Sequence, residues 1–331
     1  MKKVVISMPY RPEVVTDLPI YMDVLRDNGF EPILDTRFRR LTEQELIDLW
    51  PGVYAHICGA DALTEKAMES ADSLKIIARL GVGMDTVDIP AATKHGIAVC
   101  NTPGAGAETV AEHTMAMMLA STRRLFEADR IVRDGRWEKT AGYSLYRKTL
   151  GILGFGNIGK QLAKIVSGFD MKILAYDMYP DEDYARTHGI TFCSVEQILH
   201  ESDFISVHLP LTEETRGSIG KKELAMMKPT AQIFNCARGG IIDETALYEA
   251  LRDGVIFGAG LDVFDQEPVN MDNPLLSLNN LLVSPHNAGT SFEGKNNVLR
   301  AAVENVIAIT NGQIPRGYLN AKETAAQFRK G

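Results

Sequence analysis

The sequence lacks the features that mark membrane, secreted and nucleic-acid-binding proteins. No apolar run approaches the length of a membrane span, and Met115 to Ala120 is typical of the longest. The apolar run Val4 to Ile6, which follows two lysines, is too short for a signal peptide. Positive charge is not in excess, because 35 Lys and Arg against 43 Asp and Glu give a net charge of −8. Nucleic-acid-binding proteins usually carry a basic face, so we expect neither a nucleic-acid nor a membrane partner.

Cysteine is also scarce. The four cysteines lie far apart with no C-x-x-C spacing: Cys58, Cys100, Cys193 and Cys236. This pattern predicts reduced thiols in a cytoplasmic protein, without a disulfide framework or a metal site. The sequence contains no low-complexity linker and no short repeat. It also lacks the Gly-x-Ser-x-Gly turn of serine hydrolases, which excludes that class of enzyme.

The composition is that of an average globular protein, with 45% hydrophobic and 24% charged residues. The length of 331 residues predicts about two domains. The first hundred residues alternate strand-like and helical patterns, which indicates a parallel sheet covered by helices. The predicted strands are Lys3–Ser7, Glu31–Leu34, Val53–Ile57, Leu74–Ala78 and Ile97–Cys100. The predicted helices are Asp17–Asn28, Thr42–Leu49 and Thr64–Ser70, with Thr42 and Thr64 as N-caps.

A second alternating series follows a helical stretch from about Glu108 to Asp134. Its predicted strands are Thr149–Leu153, Lys172–Tyr176, Phe204–Val207, Gln232–Cys236, Phe257–Val263 and Leu281–Ser284. Its predicted helices include Ile158–Phe169, Lys221–Met227 and Asp243–Asp253. The chain therefore predicts two α/β units, and the last helical run, Ser291–Thr310, is long enough to return to the first of them.

A glycine motif opens the second series. Gly154-Phe155-Gly156-Asn157-Ile158-Gly159 matches G-x-G-x-x-G between a predicted strand and a predicted helix, and the next strand ends in Asp177. In this context Gly154 permits a tight turn and Gly156 lets the backbone approach a pyrophosphate. Gly159 permits close helix–strand packing, and Asp177 accepts hydrogen bonds from an adenosine ribose. The motif predicts a Rossmann-type dinucleotide-binding unit.

The residues after Asp177 favour NAD over NADP. They are Met178, Tyr179 and Pro180, none of which is a cation. The 2′-phosphate of NADP would therefore lie beside the Asp177 carboxylate with no neighbouring positive charge. The alternative is a glycine turn in a helix-covered sheet that binds no ligand.

Polar residues follow three later strands of this series. Arg238, Glu267 and His286 each come after a predicted strand, and the carboxyl ends of parallel strands meet at one edge of the sheet. An arginine, a carboxylate and an imidazole suit the interconversion of a carbonyl and an alcohol. His286 exchanges the proton, Glu267 stabilises the imidazolium, and Arg238 binds a substrate carboxylate through two parallel bonds. The predicted substrate is a 2-keto or 2-hydroxy acid.

Each of these three residues also has an ordinary structural explanation. A single arginine in a glycine-rich turn is usually a surface charge, Glu267 before Pro268 could cap a loop, and His286 could be a histidine at a sheet edge. Their common position at strand ends favours the functional interpretation. His208 also ends a strand, but no acid is placed to partner it, so we expect its loop to act through its backbone.

These motifs resemble the D-isomer-specific 2-hydroxyacid dehydrogenases, the family of phosphoglycerate dehydrogenase-like enzymes. The resemblance covers almost the whole chain and rests on G-F-G-N-I-G at 154–159, N-C-A-R-G-G at 235–240, L-D-V-F-D-Q-E-P at 261–268 and S-P-H-N-A-G at 284–289. It implies a doubly wound cofactor domain at 101–289, inserted in a smaller flavodoxin-like substrate domain formed by 1–100 and 290–331. Members of this family are usually homodimers or larger.

The resemblance also implies the site residues. It makes Arg238, Glu267 and His286 the catalytic trio, with Arg238 and His286 touching both substrate and cofactor. Further cofactor contacts are implied for Asn157, Ile158, Asp177, Leu209, Pro210, Cys236, Ala237 and Asp262, of which Asp262 meets the nicotinamide amide. The loop from Leu80 through Val82 to Gly83 is implied to offer backbone N–H groups to the substrate carboxylate.

Two functions remain open at this point. The first is an NAD-dependent D-2-hydroxyacid dehydrogenase that acts mainly as a reductase of a small 2-keto acid. The second is an NAD(H)-sensing corepressor or scaffold of the same fold, because such relatives resemble the enzymes even in the trio. A formate dehydrogenase is disfavoured, since those enzymes lack the acid found here at Glu267. The side chain of the substrate is not determined by the sequence.

Overall fold

The computed structural model describes residues 1–328, and the chain divides into two compact units. Unit 1 comprises Met1–Gly106 and the described residues from Ser291 onward, and unit 2 comprises Ala107–Thr290. The chain passes from one unit to the other at 106/107 and 290/291. Within the described part of the chain, no helix combines the length and the apolar character that a membrane crossing requires.

Unit 1 contains a sheet of five parallel strands in the order β2-β1-β3-β4-β5, which is the flavodoxin-like order. The strands are β1 (Lys2–Ser7), β2 (Phe30–Leu34), β3 (Val53–Cys58), β4 (Ile76–Arg79) and β5 (Ala98–Cys100). The helices of this unit are α1 (Leu18–Asp27), α2 (Glu43–Leu49), α3 (Glu65–Glu69), α4 (Ile89–Lys94), α12 (Phe292–Thr310) and α13 (Ala321–Thr324).

Local chemistry sets the helix ends in unit 1, and apolar burial sets its layers. Thr42 and Thr64 cap α2 and α3 as predicted, because each side chain accepts a backbone N–H of the first turn. The returning helix α12 buries Leu299, Val303 and Val306 with the apolar residues of β1 and β3. The final helical run therefore completes the core of unit 1.

Unit 2 contains seven parallel strands in the order β12-β11-β10-β9-β6-β7-β8, the Rossmann order with a seventh strand at one edge. The strands are β6 (Thr149–Leu153), β7 (Lys172–Tyr176), β8 (Ile190–Phe192), β9 (Phe204–Val207), β10 (Gln232–Asn235), β11 (Gly258–Leu261) and β12 (Leu281–Val283). The helices are α5 (Ala107–Thr122), α6 (Leu125–Arg133), α7 (Asn157–Val166), α8 (Glu182–His188), α9 (Val195–Glu201), α10 (Lys221–Met226) and α11 (Glu244–Arg252). The predicted fold class is confirmed.

Several elements differ from their prediction. The helical stretch 108–134 is two helices, because Arg124 takes a left-handed φ of 50° that ends the hydrogen-bond ladder. The strand expected at 257–263 is shorter, because only Gly258–Leu261 pairs with β10. The sequence prediction missed α4, α8, α9 and the three-residue strand β8, which are short enough to leave little periodicity.

A fully buried polar network joins Ser7 of β1 and His56 of β3 to Trp50 and Asp61. The indole N–H of Trp50 donates to Nδ1 of His56 over 3.2 Å, so Nε2 carries the proton and bonds to the Ser7 hydroxyl at 2.9 Å. That hydroxyl donates to Asp61 over 2.5 Å. Burial lowers the pKa of His56 to about 4 against the attraction of Asp61, so the ring is neutral at neutral pH.

Acidification should destabilise the protein through His56. An imidazole with a pKa of about 4 in the folded state and 6.5 in the unfolded state takes its proton mainly on unfolding. The free energy of unfolding therefore falls as the pH falls from 6.5 to 4, by about 3 kcal/mol at the acid limit. Urea unfolding across this range measures the fall, and His56→Gln should make it shallower while the exposed-site variant His200→Gln does not. An unchanged pH slope in His56→Gln would contradict this account.

Candidate active site

The turn between β6 and α7 is built so closely that only glycine fits at two positions. Gly154 has a φ of 94°, and a Cβ there would lie 2.6 Å from the carbonyl oxygen of His208. A Cβ on Gly159 would lie 2.6 Å from the carbonyl oxygen of Gly154. Both contacts are with backbone, which cannot move aside as a side chain can. The start of α7 therefore packs directly against the sheet.

The N-terminus of α7 is open. Gly156 is its N-cap and provides no side-chain cap, whereas Ser194 caps α9 in the same unit. A Cβ on Gly156 would meet no heavy atom within 4 Å. The N–H groups of the first turn, around Asn157 and Ile158, are thus available to an anion, and the helix dipole favours negative charge there.

Asp177 stands at the carboxyl end of β7 beside this turn. One of its oxygens accepts the N–H of Phe155 at 2.7 Å and the other accepts the N–H of Tyr179 at 2.9 Å. These bonds hold the carboxylate beside the glycine turn, where further lone pairs can accept ribose hydroxyls. The open helix end, the tight turn and the fixed acid together fit a dinucleotide such as NAD.

The loop after β9 begins with a neutral histidine. The His208 ring bonds to the Ser206 hydroxyl through Nε2 at 2.8 Å, while its Nδ1 is buried and has no partner within residues 1–328. Burial lowers the pKa of His208 to about 4. The ring is therefore a poor proton donor at neutral pH. The backbone carbonyl of His208 packs against Gly154 of the glycine turn. Leu209 and Pro210 follow at the same edge of the sheet.

The turn after β10 carries the predicted arginine. Asn235 shapes this turn, because its Oδ1 accepts the N–H of Ala237 at 3.0 Å and its Nδ2 donates to the carbonyl of Arg238 at 2.8 Å. Cys236 is buried with its Sγ 3.7 Å from the Met117 sulfur, and burial raises the pKa of this thiol to about 12. Cys236 is therefore an uncharged packing residue of the turn.

The turns after β10 and β11 are in direct contact. A Cβ on Gly239 would lie 1.9 Å from the carbonyl oxygen of Phe264. The backbone N–H of the same residue, Phe264, donates to Oε1 of Glu267 at 3.3 Å. This contact places the turn of Arg238 beside the loop of Glu267.

The predicted imidazole and carboxylate are paired. Nδ1 of His286 lies 2.7 Å from Oε2 of Glu267, and the histidine side chain is 46% exposed. His286 has a left-handed φ of 51°, a conformation that histidine adopts more readily than most residues. The structure thus brings together residues 19 positions apart in the chain, with the ring held at one nitrogen.

Asp262 organises the turn that carries His286. Its buried carboxylate accepts the N–H groups of Asn287 at 2.7 Å and Ala288 at 2.8 Å, and the hydroxyl of Ser284 at 2.5 Å. Its carbonyl accepts the N–H of His286 at 2.7 Å. Asp262 is therefore a positioning residue in this structure, and its contact with a nicotinamide amide stays a prediction.

Sequence reasoning missed three residues that support the site. Asn235 shapes the arginine turn, and its position at a strand end three residues before Arg238 was a usable signal. Ser284 donates to Asp262, and His113 of α5 reaches the same hydroxyl at 3.0 Å. His113 carries no local signal, because only packing of α5 against the sheet brings it there.

The predicted substrate loop lies in unit 1, directly after β4. Gly81 donates to the Thr102 hydroxyl at 3.1 Å, and the Asn101 amide donates to the Val82 carbonyl at 2.9 Å. Within residues 1–328, the N–H groups of Val82 and Gly83 donate to no protein acceptor. The loop is held in place while two donors stay available, as a carboxylate-binding loop requires.

Comparison with known proteins decides the family. Residues 115–288 match the family described as "D-isomer specific 2-hydroxyacid dehydrogenase, NAD binding domain". The chain belongs to this family. It is 44% identical over 266 residues to a glyoxylate reductase of Korarchaeum cryptofilum, covering 78% of this chain and 80% of the relative. It is 38% identical over 321 residues to a D-3-phosphoglycerate dehydrogenase of Archaeoglobus fulgidus, covering 96% of this chain but 59% of the relative.

Solved structures agree with the family assignment. The NAD-complexed D-isomer specific 2-hydroxyacid dehydrogenase of Lactobacillus delbrueckii ssp. bulgaricus superposes with a TM-score of 0.79 at 25% identity, covering 96% of this chain and all of that one. The protein is thus an oxidoreductase that acts on a hydroxyl group with NAD. The predicted enzyme class and cofactor are confirmed.

Proposed function

We propose that this dehydrogenase interconverts a small 2-keto acid and the corresponding D-2-hydroxy acid, with His286 as acid and base. The observation that carries the proposal is the 2.7 Å pair between Nδ1 of His286 and Oε2 of Glu267, beside the Arg238 turn. Bound NADH supplies the hydride for reduction of the carbonyl carbon. The residues of the chain supply the proton and stabilise the charge that develops on oxygen.

His286 and Glu267 divide the proton chemistry. Because Nδ1–H donates to the carboxylate, the Nε2 end of the ring exchanges the proton with the substrate oxygen. Glu267 accepts Nδ1–H and holds the ring in one orientation, so that Nε2 can donate a proton during reduction. In the oxidation direction the neutral ring accepts the proton from the hydroxyl group.

Arg238 binds the substrate carboxylate and polarises the adjacent carbonyl. Its Nη1 donates to the Ala237 carbonyl at 2.6 Å, which ties the guanidinium to its own turn. A planar guanidinium matches the two oxygens of a carboxylate and stabilises negative charge on the neighbouring oxygen. Carboxylate binding by Val82 and Gly83 stays a prediction, as does the cytoplasmic location.

NADH oxidation with glyoxylate, hydroxypyruvate, pyruvate and larger 2-keto acids tests the function. We expect turnover of at least one of them, and kcat/KM across the panel identifies the preferred side chain. Failure of every keto acid, with NADH still bound, would support the corepressor alternative.

Asp177 should set the cofactor preference. Asp177→Ala removes a charged acceptor, so NADH binding should weaken by about 1.5–3 kcal/mol. The preference for NADH over NADPH should become smaller, because the Asp177 carboxylate no longer repels the 2′-phosphate of NADPH. Fluorescence titration with both cofactors measures the change, and the neighbouring exposed acid in Asp183→Ala is the control. Equal binding of NADH and NADPH by the wild type would refute the role of Asp177.

We also propose a homodimer that forms through the segment 125–137 of unit 2. Apolar side chains are exposed along it: Leu125, Phe126 and Val132 on α6, and Trp137, which is 90% exposed. A cluster of this kind on a globular protein marks an interaction surface. A second copy of this chain is the occupant that the resemblance implies.

Charge placed in this surface should separate the protomers. Phe126→Glu buries a carboxylate in the proposed interface, which costs several kcal/mol without a partner. Sedimentation velocity should show a dimer for the wild type and a monomer for the variant. Ile20→Ser removes an exposed apolar side chain of unit 1 and should leave the dimer intact. A monomeric wild type would overturn the proposal.

A further inference from the structure

The loop between β7 and α8 is tied to the start of α7 at both of its ends. Asp177, at the start of the loop, accepts the N–H of Phe155 at 2.7 Å. Asp181, at the end of the loop, accepts the ammonium of Lys160 at 2.5 Å. The two acids are four residues apart, and their partners in the glycine turn and in α7 are five residues apart. The loop therefore runs along the first turn of α7, beside the proposed position of the cofactor's adenosine.

Asp181 uses its two oxygens for two different partners. Oδ1 accepts the N–H of Tyr184 at 3.1 Å and so caps α8. Oδ2 accepts the Lys160 ammonium, and this bond, together with the bond from the Tyr184 N–H, lowers the pKa of Asp181. Asp181 is therefore ionised at neutral pH and binds Lys160 through a charge-assisted hydrogen bond.

An aromatic ring contacts Lys160 on a second side. The Lys160 ammonium lies 4.6 Å from the centre of the Tyr184 ring, close enough for attraction to the face of the ring. The Tyr184 ring in turn lies 5.9 Å from the ring of Phe155 in the glycine turn. The Lys160 side chain is only 29% exposed. Asp181 and Tyr184 together therefore fix the ammonium beside the glycine turn.

The charge around this ion pair is mostly negative. Four acids follow β7 within seven residues: Asp177, Asp181, Glu182 and Asp183. Lys160 is the first cation that follows the glycine motif along the chain. A 2′-phosphate carries about two negative charges, so it is repelled by these acids and requires a cation as partner. The Lys160 ammonium can serve as that partner only when it leaves Asp181.

We propose that Asp181 determines cofactor selectivity by keeping the Lys160 ammonium away from the 2′-phosphate of NADP. While the ion pair is intact, the 2′ position faces the Asp177 carboxylate. Without the charge of Asp181, the flexible four-carbon stem of Lys160 can turn toward a phosphate. NADH has no phosphate at this position, so its binding does not depend on the pair. The location of the 2′ position rests on the proposed function of Asp177, whereas the ion pair does not.

Binding of NADPH and NADH to Asp181→Asn tests this role. Asparagine is as good an N-cap as aspartate, so α8 should keep its first turn. We expect the affinity for NADPH to rise at least about fivefold, the contribution of one charged hydrogen bond at a partly exposed site. The affinity for NADH should change less than about twofold. Fluorescence titration of each reduced cofactor measures both values, and Asp181→Ser, which also keeps a capping oxygen, should reproduce them.

Two further variants separate the lysine from the loss of negative charge. In the double variant Asp181→Asn/Lys160→Met the gain in NADPH affinity should disappear, because no ammonium remains to bind the phosphate. Glu182→Gln removes an equal charge from the neighbouring position and leaves the Lys160 pair intact, so NADPH affinity should rise less than about twofold. No gain in Asp181→Asn, or a gain of the same size in the double variant or in Glu182→Gln, would overturn the proposal.

Adenosine fragments separate this proposal from the proposed function. Adenosine 2′,5′-bisphosphate and AMP differ only in the 2′-phosphate, and their binding requires neither a nicotinamide nor a keto acid. In calorimetric titration, Asp181→Asn should bind the bisphosphate at least about fivefold more tightly than the wild type and should bind AMP equally. Equal affinity of the two proteins for the bisphosphate, or binding to neither, would overturn the role of Asp181. If this gain is found but no keto acid is reduced, the role of Asp181 stands and the proposed function fails.

Discussion

Replacement of His286 by alanine should lower kcat for keto-acid reduction by about 10²–10⁴-fold, the usual contribution of a positioned proton donor. His286 is partly exposed and belongs to a turn that Asp262 holds through backbone N–H groups, so the turn should survive the loss of the ring. NADH binding should therefore persist. Pre-steady-state reduction kinetics and fluorescence titration of NADH measure the two effects separately. Loss of cofactor binding together with activity would assign His286 a structural role instead.

Glu267→Gln is the matched test of the pairing. It keeps an acceptor for Nδ1–H of His286 but removes the negative charge of the carboxylate. The charge-assisted hydrogen bond that orients the ring becomes a neutral one, so kcat for keto-acid reduction should fall, at most by the roughly 10²–10⁴-fold that a positioned proton donor contributes. An unchanged kcat in Glu267→Gln, with hydride transfer rate-limiting in both enzymes, would refute the pairing.

Arg238→Lys should lower kcat/KM for the keto acid by roughly 10²-fold, within the range for truncating one partner of a buried charge pair. Lysine keeps the positive charge but has no planar pair of donors for the two carboxylate oxygens. Both a higher KM and a lower kcat are expected, because the same group orients the acid and polarises its carbonyl. Cofactor affinity should stay nearly unchanged.

The control for Arg238 is Arg252→Lys, an exposed arginine of α11 that pairs with its neighbour Asp253. Steady-state kinetics of both variants with the preferred keto acid, together with NADH titration, provide the comparison. Unchanged kcat/KM in Arg238→Lys would remove Arg238 from the site. A large loss in NADH affinity would show that this residue serves the cofactor rather than the substrate.

The fold class and the candidate residues of the site could be predicted from local sequence. Alternation of apolar strands with capped helices predicts parallel sheets, because each element buries one face and its ends need local hydrogen-bond partners. Gly154 and Gly156 indicate a dinucleotide-binding turn, since the tight turn and the close approach of the backbone to a pyrophosphate both depend on neighbouring residues. Arg238, Glu267 and His286 could be chosen because parallel strands end at a common edge, whatever their packing.

Tertiary structure alone decided how those residues are held. Asp262 turns its carboxylate inward to the backbone of the His286 turn, and Gly239 contacts Phe264 so closely that the two loops become neighbours. Lys295 meets Tyr10 although 285 positions separate them in the chain. Such contacts depend on strand order and on which helix covers which face. No residue type or short-range period encodes them, because they join segments that are distant in sequence and become neighbours only when the sheets form.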